Sequence, residues 1–262
     1  MNLKNYYSTK IIVVTGGASG IGRAIIETLK TYSCKKIIVI DKNIDELEKI
    51  EGNFVEKYCV DVSNENALTD VFEQIIDKNW SVDLLINNAG IACGGEFQNF
   101  SFDLWNKVLN TNLWGVIYSC SIVYKQMMKQ KYGQIVNVAS LGGLIPEPMA
   151  IPYSTSKHAV VGLSNSLRSE GKDLNIKVNV VCPGVIKTSI FDSALYVGQI
   201  DKEKLKTATL EHGTIDIVSS AKKILKGVSK NKSIILLKSF DKVFWNIYRF
   251  SPSILISLNN VI

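Results

Sequence analysis

Three side chains near the middle of the sequence have the types and spacing needed to transfer a proton: Ser140, Tyr153 and Lys157. If the chain is helical from Tyr153, then Tyr153 and Lys157 lie one turn apart on the same face. A lysine ammonium beside a phenol favours the phenolate, so we expect Lys157 to lower the pKa of Tyr153 from its usual value of about 10. Tyr153 could then donate and accept a proton near neutral pH, while the Ser140 hydroxyl holds a substrate oxygen against it.

The same spacing has a simpler interpretation. A Tyr and a Lys four positions apart on a helix commonly form an amphipathic surface pair with no chemical role. His158 and His212 are further acid–base candidates. However, His158 directly follows Lys157 and would point about 100° away from it on a helix, which favours a structural role. The elements around Tyr153 decide between these interpretations.

Those elements are strands and helices in regular alternation. Short β-branched runs, typical of strands buried on both faces, predict seven strands at 11–14, 37–40, 54–60, 82–86, 134–138, 177–181 and 233–238. Apolar residues at helical spacing predict helices at 21–32, 44–50, 65–78, 102–131, 153–174 and 216–228, with Ser63 as the N-cap of the third. We therefore predict an α/β fold in which a doubly wound parallel sheet of about seven strands is flanked by helices, in one domain over residues 1–262.

Length and composition narrow the class of protein. The chain has 262 residues, 46% apolar and 21% charged, which is ordinary for a globular protein. The net charge is +6, but the basic residues are spread along the sequence, so no nucleic-acid surface is predicted. Five scattered cysteines without C-x-x-C spacing predict reduced thiols in a cytoplasmic protein, with neither a disulfide framework nor a metal site. Neither a signal peptide nor a membrane-spanning helix is expected.

A glycine-rich turn follows the first predicted strand. Residues 15–22 read TGGASGIG. Glycines at this place let backbone amides and a helix N-terminus approach a pyrophosphate, which predicts a dinucleotide site. A tight strand–helix turn without a ligand is the alternative interpretation.

Acidic residues end the next two predicted strands. Asp41 lies nineteen residues after Gly22, where a carboxylate accepts hydrogen bonds from the adenosine ribose and repels a 2′-phosphate, which favours NAD over NADP. Helix capping is the alternative for Asp41, and the basic residues Arg23 and Lys42 nearby weaken the preference for NAD. Asp61 is placed to meet the adenine edge.

These motifs follow one another in an order that resembles the short-chain dehydrogenase/reductase family. The pattern comprises T-G-x-x-x-G-x-G at 15–22, N-N-A-G at 87–90, an asparagine at 112, a serine at 140, Y-x-x-x-K at 153–157 and P-G at 183–184. It extends over roughly residues 10–238. The resemblance implies a Rossmann-type fold and the NAD(P)-dependent interconversion of a secondary alcohol and a ketone.

The resemblance also assigns roles to residues. Tyr153 would transfer the proton, Lys157 would lower its pKa and bind the nicotinamide ribose, Ser140 would hold the substrate oxygen, and Asn112 would hold a chain of waters. The remaining residues would surround the cofactor, from its pyrophosphate and adenine to its nicotinamide: Thr15, Gly16, Ser19, Gly20, Ile21, Gly22, Asp41, Asp61, Val62, Asn88, Ala89, Gly90, Pro183, Gly184, Val185, Ile186 and Thr188.

Two apolar segments bear on the substrate and on partners. The region at about 190–213 is a predicted substrate lid, and with the loop at 141–149 it favours an apolar substrate of lipid, acyl or steroid type. Packing against the domain is the alternative. The apolar C-terminal extension, about 240–262, either packs on its own domain or a neighbouring subunit, or makes a weak peripheral membrane contact or covers a pocket. By resemblance, we expect a homodimer or homotetramer.

Three functions remain open from the sequence. The leading hypothesis is an NAD-dependent oxidoreductase acting on a small-molecule secondary alcohol or ketone. An NADPH-dependent ketone reductase, such as a 3-oxoacyl reductase, is the alternative enzyme. Asp41 argues against it. Ser19 gives it no support, because by resemblance NADP-preferring relatives often have a basic residue at this position. A non-catalytic nucleotide-binding regulator is the third, and the complete set of Asn112, Ser140, Tyr153 and Lys157 argues against it.

Overall fold

Seven parallel strands form the central sheet of the protein. The computed structural model describes residues 2–188, 190–199, 207 and 214–253. Within these residues the strands of the sheet are β1 (Ile11–Thr15), β2 (Lys36–Asp41), β3 (Val55–Cys59), β4 (Leu84–Asn87), β6 (Gly133–Val138), β7 (Ile176–Val181) and β9 (Ile234–Ile235). They lie in the order β3-β2-β1-β4-β6-β7-β9. The predicted doubly wound parallel sheet is confirmed.

Helices cover both faces of this sheet. They are α1 (Leu3–Tyr7), α2 (Gly20–Lys30), α3 (Ile44–Glu48), α4 (Glu65–Asn79), α5 (Phe102–Leu109), α6 (Gly115–Gln130), α7 (Ile151–Glu170), α8 (Ile217–Ser229) and α9 (Ser239–Phe250). A second, two-stranded parallel sheet pairs β5 (Cys93–Gly94) with β8 (Leu195–Tyr196). It ties the described part of the predicted lid to the loop after β4. Residues 189, 200–206 and 208–213 of the region around the predicted lid lie outside the described residues.

The central strands β1 and β4 are apolar up to their last residue because the sheet is buried on both sides. Along β1, Ile12 and Val14 face a core shared with α1, α2 and α8, whereas Ile11 and Val13 face a second core shared with α4, α6 and α7. All four side chains are almost fully buried. This explains the continuous β-branched runs in the sequence, since a strand exposed on one face would alternate with polar residues.

The strand order places a crevice between two strand ends. From β1 the chain runs outward through β2 and β3, and then returns to place β4 on the other side of β1. In doubly wound sheets, ligands bind at the carboxyl ends of the strands where the order reverses in this way. The turns after β1 and β4 therefore meet at the predicted site.

The long predicted helix at 102–131 is interrupted in its middle. A π-helical turn, Asn110–Trp114, separates α5 from α6, and its backbone widens to i→i+5 hydrogen bonding. The turn carries the buried Asn112. Apolar spacing alone could not reveal it, because α5 and α6 are each regular helices.

Several helix and strand ends differ from the sequence-based prediction. Helix α4 is capped by Asn64, whose Oδ1 accepts from Ala67 N at 3.1 Å, so the prediction of Ser63 as the cap is wrong. Ser63 instead donates to Asp61 through both its backbone and its hydroxyl. The last strand has two residues rather than six.

The C-terminal extension begins with a helix, α9, that the sequence analysis did not predict. Its residues Phe240, Val243, Ile247 and Phe250 are exposed. Residues 254–262 of the extension lie outside the described part of the chain. Each helix among the described residues is too short or too polar to span a bilayer.

The capping of α4 can be tested by mutation. We expect Asn64→Ala to lower the free energy of unfolding by about 1 kcal/mol, because it removes the acceptor for a backbone amide of the first turn. Asn66→Ala, at an exposed position in the same turn, should not destabilise the protein. Chemical denaturation of the two variants measures the difference, and equal stabilities would show that Asn64 is not the cap.

Candidate active site

The turns after β1 and β4 are joined by hydrogen bonds. The Thr15 hydroxyl oxygen accepts from the backbone N–H groups of Asn88 (3.1 Å) and Ala89 (3.3 Å). In return, the Asn88 side-chain amide donates to the Gly16 carbonyl at 2.8 Å. These bonds bring the predicted glycine turn and the N-N-A-G segment into one rigid unit.

The glycines of the first turn are required by close contacts. Gly16 has φ of +61°, and a Cβ there would lie 2.6 Å from the Ala89 Cα. A Cβ at Gly22 would overlap the Gly16 carbonyl and lie 2.6 Å from the Asn88 Nδ2. A side chain at either position would force the two turns apart.

The N-terminus of α2 is open to a ligand. The helix begins at Gly20, and its N-cap residue Ser19 makes no side-chain capping hydrogen bond. Free backbone amides and the helix dipole at this point favour an anion. The glycine cradle and the uncapped helix together fit the pyrophosphate of a dinucleotide.

Two carboxylates lie along the rim of this crevice. Asp41 accepts from Ala18 N at 2.9 Å and from Asn43 N at 3.0 Å. It is not a helix cap, because Asn43 caps α3 instead. Burial acts to raise the pKa of Asp61, but hydrogen bonds from Ser63 and the nearby ammonium of Lys42 hold that pKa below its usual value.

Lys157 is buried beneath the crevice. Its side chain is 4% exposed, and its ammonium donates to the Val138 carbonyl at 3.0 Å. Burial lowers the pKa of Lys157 from 10.5 to about 8, against a smaller opposing effect from Cys182. A surface pair would not show this burial, so the simpler interpretation of the Tyr153–Lys157 spacing is wrong.

Tyr153 lies beside this ammonium, with the Lys157 Nζ 5.6 Å from the centre of its ring. Burial raises the pKa of Tyr153 above its usual value, and the charge of Glu147 raises it further, while a hydrogen bond with Ser140 acts to lower it. The expected lowering of this pKa is therefore wrong: burial determines the direction of the shift.

Asn112 is held by backbone groups on the far side of Gly90. Its Oδ1 accepts from Ile91 N at 2.8 Å, and its Nδ2 donates to the Ile91 carbonyl (2.9 Å) and to Ser156 Oγ (3.1 Å). A Cβ at Gly90 would lie 3.2 Å from Asn112 Oδ1 and 3.3 Å from Lys157 Nζ. Asn112 thus anchors the loop after β4, and the water chain stays a prediction.

One cavity of about 970 Å³ connects these groups. Most of the predicted site residues line it; the exceptions are Thr15, Gly22 and Asn112, which lie behind its wall. A cavity of this size, with an apolar majority and a few convergent polar groups, is typical of a cofactor and substrate site. His158 does not line it, and its Nδ1 lies 3.0 Å from the Ser154 carbonyl, as its expected structural role requires.

The sequence analysis missed two acidic residues at the site. Glu147 lines the cavity from within the loop at 141–149, and Asp241 of α9 is 3% exposed against the Pro183–Gly184 turn. A Cβ at Gly184 would lie 2.9 Å from Asp241 Oδ1. Burial raises the pKa of Asp241, against hydrogen bonds from the backbone of Lys238 and Gly184. In both cases, the only feature of the sequence that could have identified the residue was a single acidic side chain within an apolar segment.

Comparisons with known proteins agree with this geometry. The family model "short chain dehydrogenase" matches residues 10–195. An acetoacetyl-CoA reductase of Acinetobacter sp. (strain RA3849) is 34% identical over 186 residues, which are 68% of this chain and 75% of the relative.

Solved structures share the fold. A short-chain dehydrogenase/reductase of Burkholderia phymatum in complex with NAD has a TM-score of 0.85 at 23% identity, covering 95% of this chain and 96% of that one. A short-chain dehydrogenase of Burkholderia cenocepacia J2315 in complex with NADP has a TM-score of 0.82 at 17% identity, covering 98% of each. The chain belongs to the short-chain dehydrogenase/reductase family of oxidoreductases, which act on CH–OH or keto groups.

Proposed function

We propose that this protein is an NAD-dependent oxidoreductase that interconverts a secondary alcohol and a ketone, with Tyr153 as the proton donor and acceptor. The observation that carries the proposal is the convergence of Tyr153, Ser140 and the buried Lys157 on one cavity with the glycine turn. Asn112 stabilises the loop beside them. A binding protein without catalysis would have no need to bury an ammonium next to a phenol.

The chain's own residues would handle the proton and the substrate oxygen. The bound nicotinamide would supply or accept the hydride. In the reductive direction, Tyr153 in its protonated form donates to the carbonyl oxygen while the Ser140 hydroxyl stabilises the developing alkoxide. In the oxidative direction, Tyr153 accepts the hydroxyl proton, and the Lys157 ammonium stabilises the phenolate that carries the reaction.

The rim of the crevice favours NAD. The Asp41 carboxylate is fixed by Ala18 and Asn43, and a 2′-phosphate brought there would meet its negative charge. Arg23, the basic residue that could offset this repulsion, is held by Glu27 at 2.9 Å and donates to the Lys49 carbonyl at 3.0 Å. Lys42, which follows Asp41 in the sequence, lies 3.7 Å from the Asp61 carboxylate, so both basic residues already contact an acidic side chain.

The alternative of a 3-oxoacyl reductase is supported by relatives with that activity: a 3-oxoacyl-[acyl-carrier-protein] reductase of Thermotoga maritima is 34% identical over 184 residues. The Acinetobacter protein at 34% identity is an acetoacetyl-CoA reductase. In that case the apolar lining of the cavity, which includes Ile145, Met149 and Leu195, would hold the acyl chain. The same lining supports a lipid or steroid-like alcohol under the leading proposal.

We also propose that the protein acts in the cytoplasm as a single domain that forms a homodimer or homotetramer. The exposed apolar residues of α9 fit either a neighbouring subunit or a weak peripheral membrane contact.

Removal of the Tyr153 hydroxyl tests the mechanism. We expect Tyr153→Phe to lower kcat by about 10²–10⁴-fold, the range for a general acid–base group, and to leave NAD affinity unchanged. Tyr132→Phe, which alters an exposed tyrosine, is the matched control and should keep full activity. Substrates are found by screening secondary alcohols with NAD and following the absorbance of the reduced cofactor. Normal turnover by Tyr153→Phe would show that another group moves the proton.

Cofactor choice can be measured directly. Titration of the intrinsic tryptophan fluorescence with NAD and with NADP should give tighter binding of NAD. Asp41→Ala should reduce this preference by about tenfold or more, because a charge contact near a protein surface is worth roughly 1–4 kcal/mol. Asp45→Ala removes the same charge from an exposed position on α3 and should not change the preference. Tighter binding of NADP by the unmodified protein would favour the reductase alternative.

A further inference from the structure

Glu147 places a carboxylate in the substrate half of the cavity. It follows Pro146 and precedes Pro148 in the loop that leads from Ser140 to α7, and all three residues line the cavity. Its carboxylate folds back against Gly142, where a Cβ would collide with its Oε2. The absence of a side chain at Gly142 is therefore what gives the carboxylate its place.

This carboxyl group is close enough to the reacting phenol to affect it. Its charge raises the pKa of Tyr153 and also that of the Cys93 thiol, which lines the same cavity. Burial raises the pKa of Glu147 itself to about 7. The residue as a whole is exposed, and the burial that acts on its pKa is that of the carboxyl group, which lies against Gly142 on the cavity wall.

Glu147 has no partner within the described residues. The ion pairs and hydrogen bonds of that part of the chain do not include it, and burial alone accounts for its raised pKa. A carboxylate on the cavity wall without a protein partner can accept a hydrogen bond from a donor that enters the cavity. The apolar residues around it, such as Ile145 and Met149, offer no such donor.

We propose that Glu147 is a specificity-determining residue that binds a hydroxyl or ammonium group of the substrate, close to the carbon that exchanges the hydride. The inference rests on the proposed function and deepens it. The substrate class is an apolar secondary alcohol or ketone that carries a second hydrogen-bond donor on a neighbouring carbon. Substrates with a carboxylate at that place are disfavoured by like charge.

Three compounds with the same carbon ring distinguish the contribution of a second hydrogen-bond donor from that of apolar contact. They are cyclohexanol, trans-1,2-cyclohexanediol and trans-2-aminocyclohexanol. For the unmodified protein with NAD, kcat/KM should be higher for the diol and the amino alcohol than for cyclohexanol. In Glu147→Ala, the ratio of kcat/KM for the diol or amino alcohol to that for cyclohexanol should fall about tenfold or more, because hydrogen bonds to charged groups are among the stronger ones. Glu147→Gln keeps an acceptor, so it should lose the preference for the amino alcohol more than that for the diol.

Two variants distinguish a local effect from a general one. Gly142→Ala displaces the carboxylate without removing it and should reduce the same preference. Glu73→Ala removes an exposed glutamate of α4 and should leave it unchanged. The preference for the amino alcohol should also rise with pH through about 7, as the carboxyl ionises. The titratable groups around it are Tyr153 and Cys93, with His158 on the outer side of the loop.

Calorimetry on the NADH-loaded protein gives a readout that does not need turnover. The amino alcohol should bind about tenfold more tightly than cyclohexanol, and Glu147→Gln should abolish the difference. Equal affinities for the two probes in the unmodified protein, or the same preference in Glu147→Ala, would overturn the inference. A binding preference without turnover of any secondary alcohol would support the role of Glu147 and contradict the proposed function instead.

Discussion

The Lys157 ammonium buried against the Val138 carbonyl is the constraint on which the site depends. The lowering of the Lys157 pKa from 10.5 to about 8 corresponds to about 3 kcal/mol in favour of the neutral amine. A single carbonyl at 3.0 Å does not offset the loss of water around the charge. The packing of the rest of the fold must offset this cost. The lysine is held between the end of β6 and the second turn of α7, one helical turn beyond Tyr153.

Around that charge, the rest of the site is built from backbone segments that lie close together because glycines leave room between them. Gly90 leaves room between Lys157 and Asn112, and Gly16 leaves room between the turns after β1 and β4. The π turn places Asn112 where it can hold both backbone groups of Ile91. Together these contacts fix one crevice at the point where the strand order reverses, with an uncapped helix at one end and a phenol at the other.

Much of this could be predicted because it is local in sequence. The strand–helix alternation, the glycine turn and the i, i+4 placement of Tyr153 and Lys157 each depend on short-range geometry. Ser63 and Asn64 were harder to tell apart, because either neighbouring residue can cap a helix and the backbone bend decides which one does. The π turn was missed because it leaves no apolar signal.

The features that could not be predicted depend on distant segments. Tyr153 has a raised pKa because separate parts of the chain bury it, and Glu147 adds its charge from a loop that folds back over Gly142. Asp241 reaches Gly184 only because α9 returns to the carboxyl end of β7. Long-range folding therefore decides the electrostatics, whereas local motifs decide which residues are present.

The most direct test of the account is the turnover of Lys157→Met, measured together with its free energy of unfolding. Methionine keeps the length of the side chain and removes the buried charge, but it leaves the Val138 carbonyl without its donor, at a cost of about 1–3 kcal/mol. The two effects are of similar size, so we predict stability within about 2 kcal/mol of the unmodified protein at pH 7, with kcat/KM lower by about 10²-fold or more. A stable variant that keeps its turnover would contradict the central role of this buried lysine.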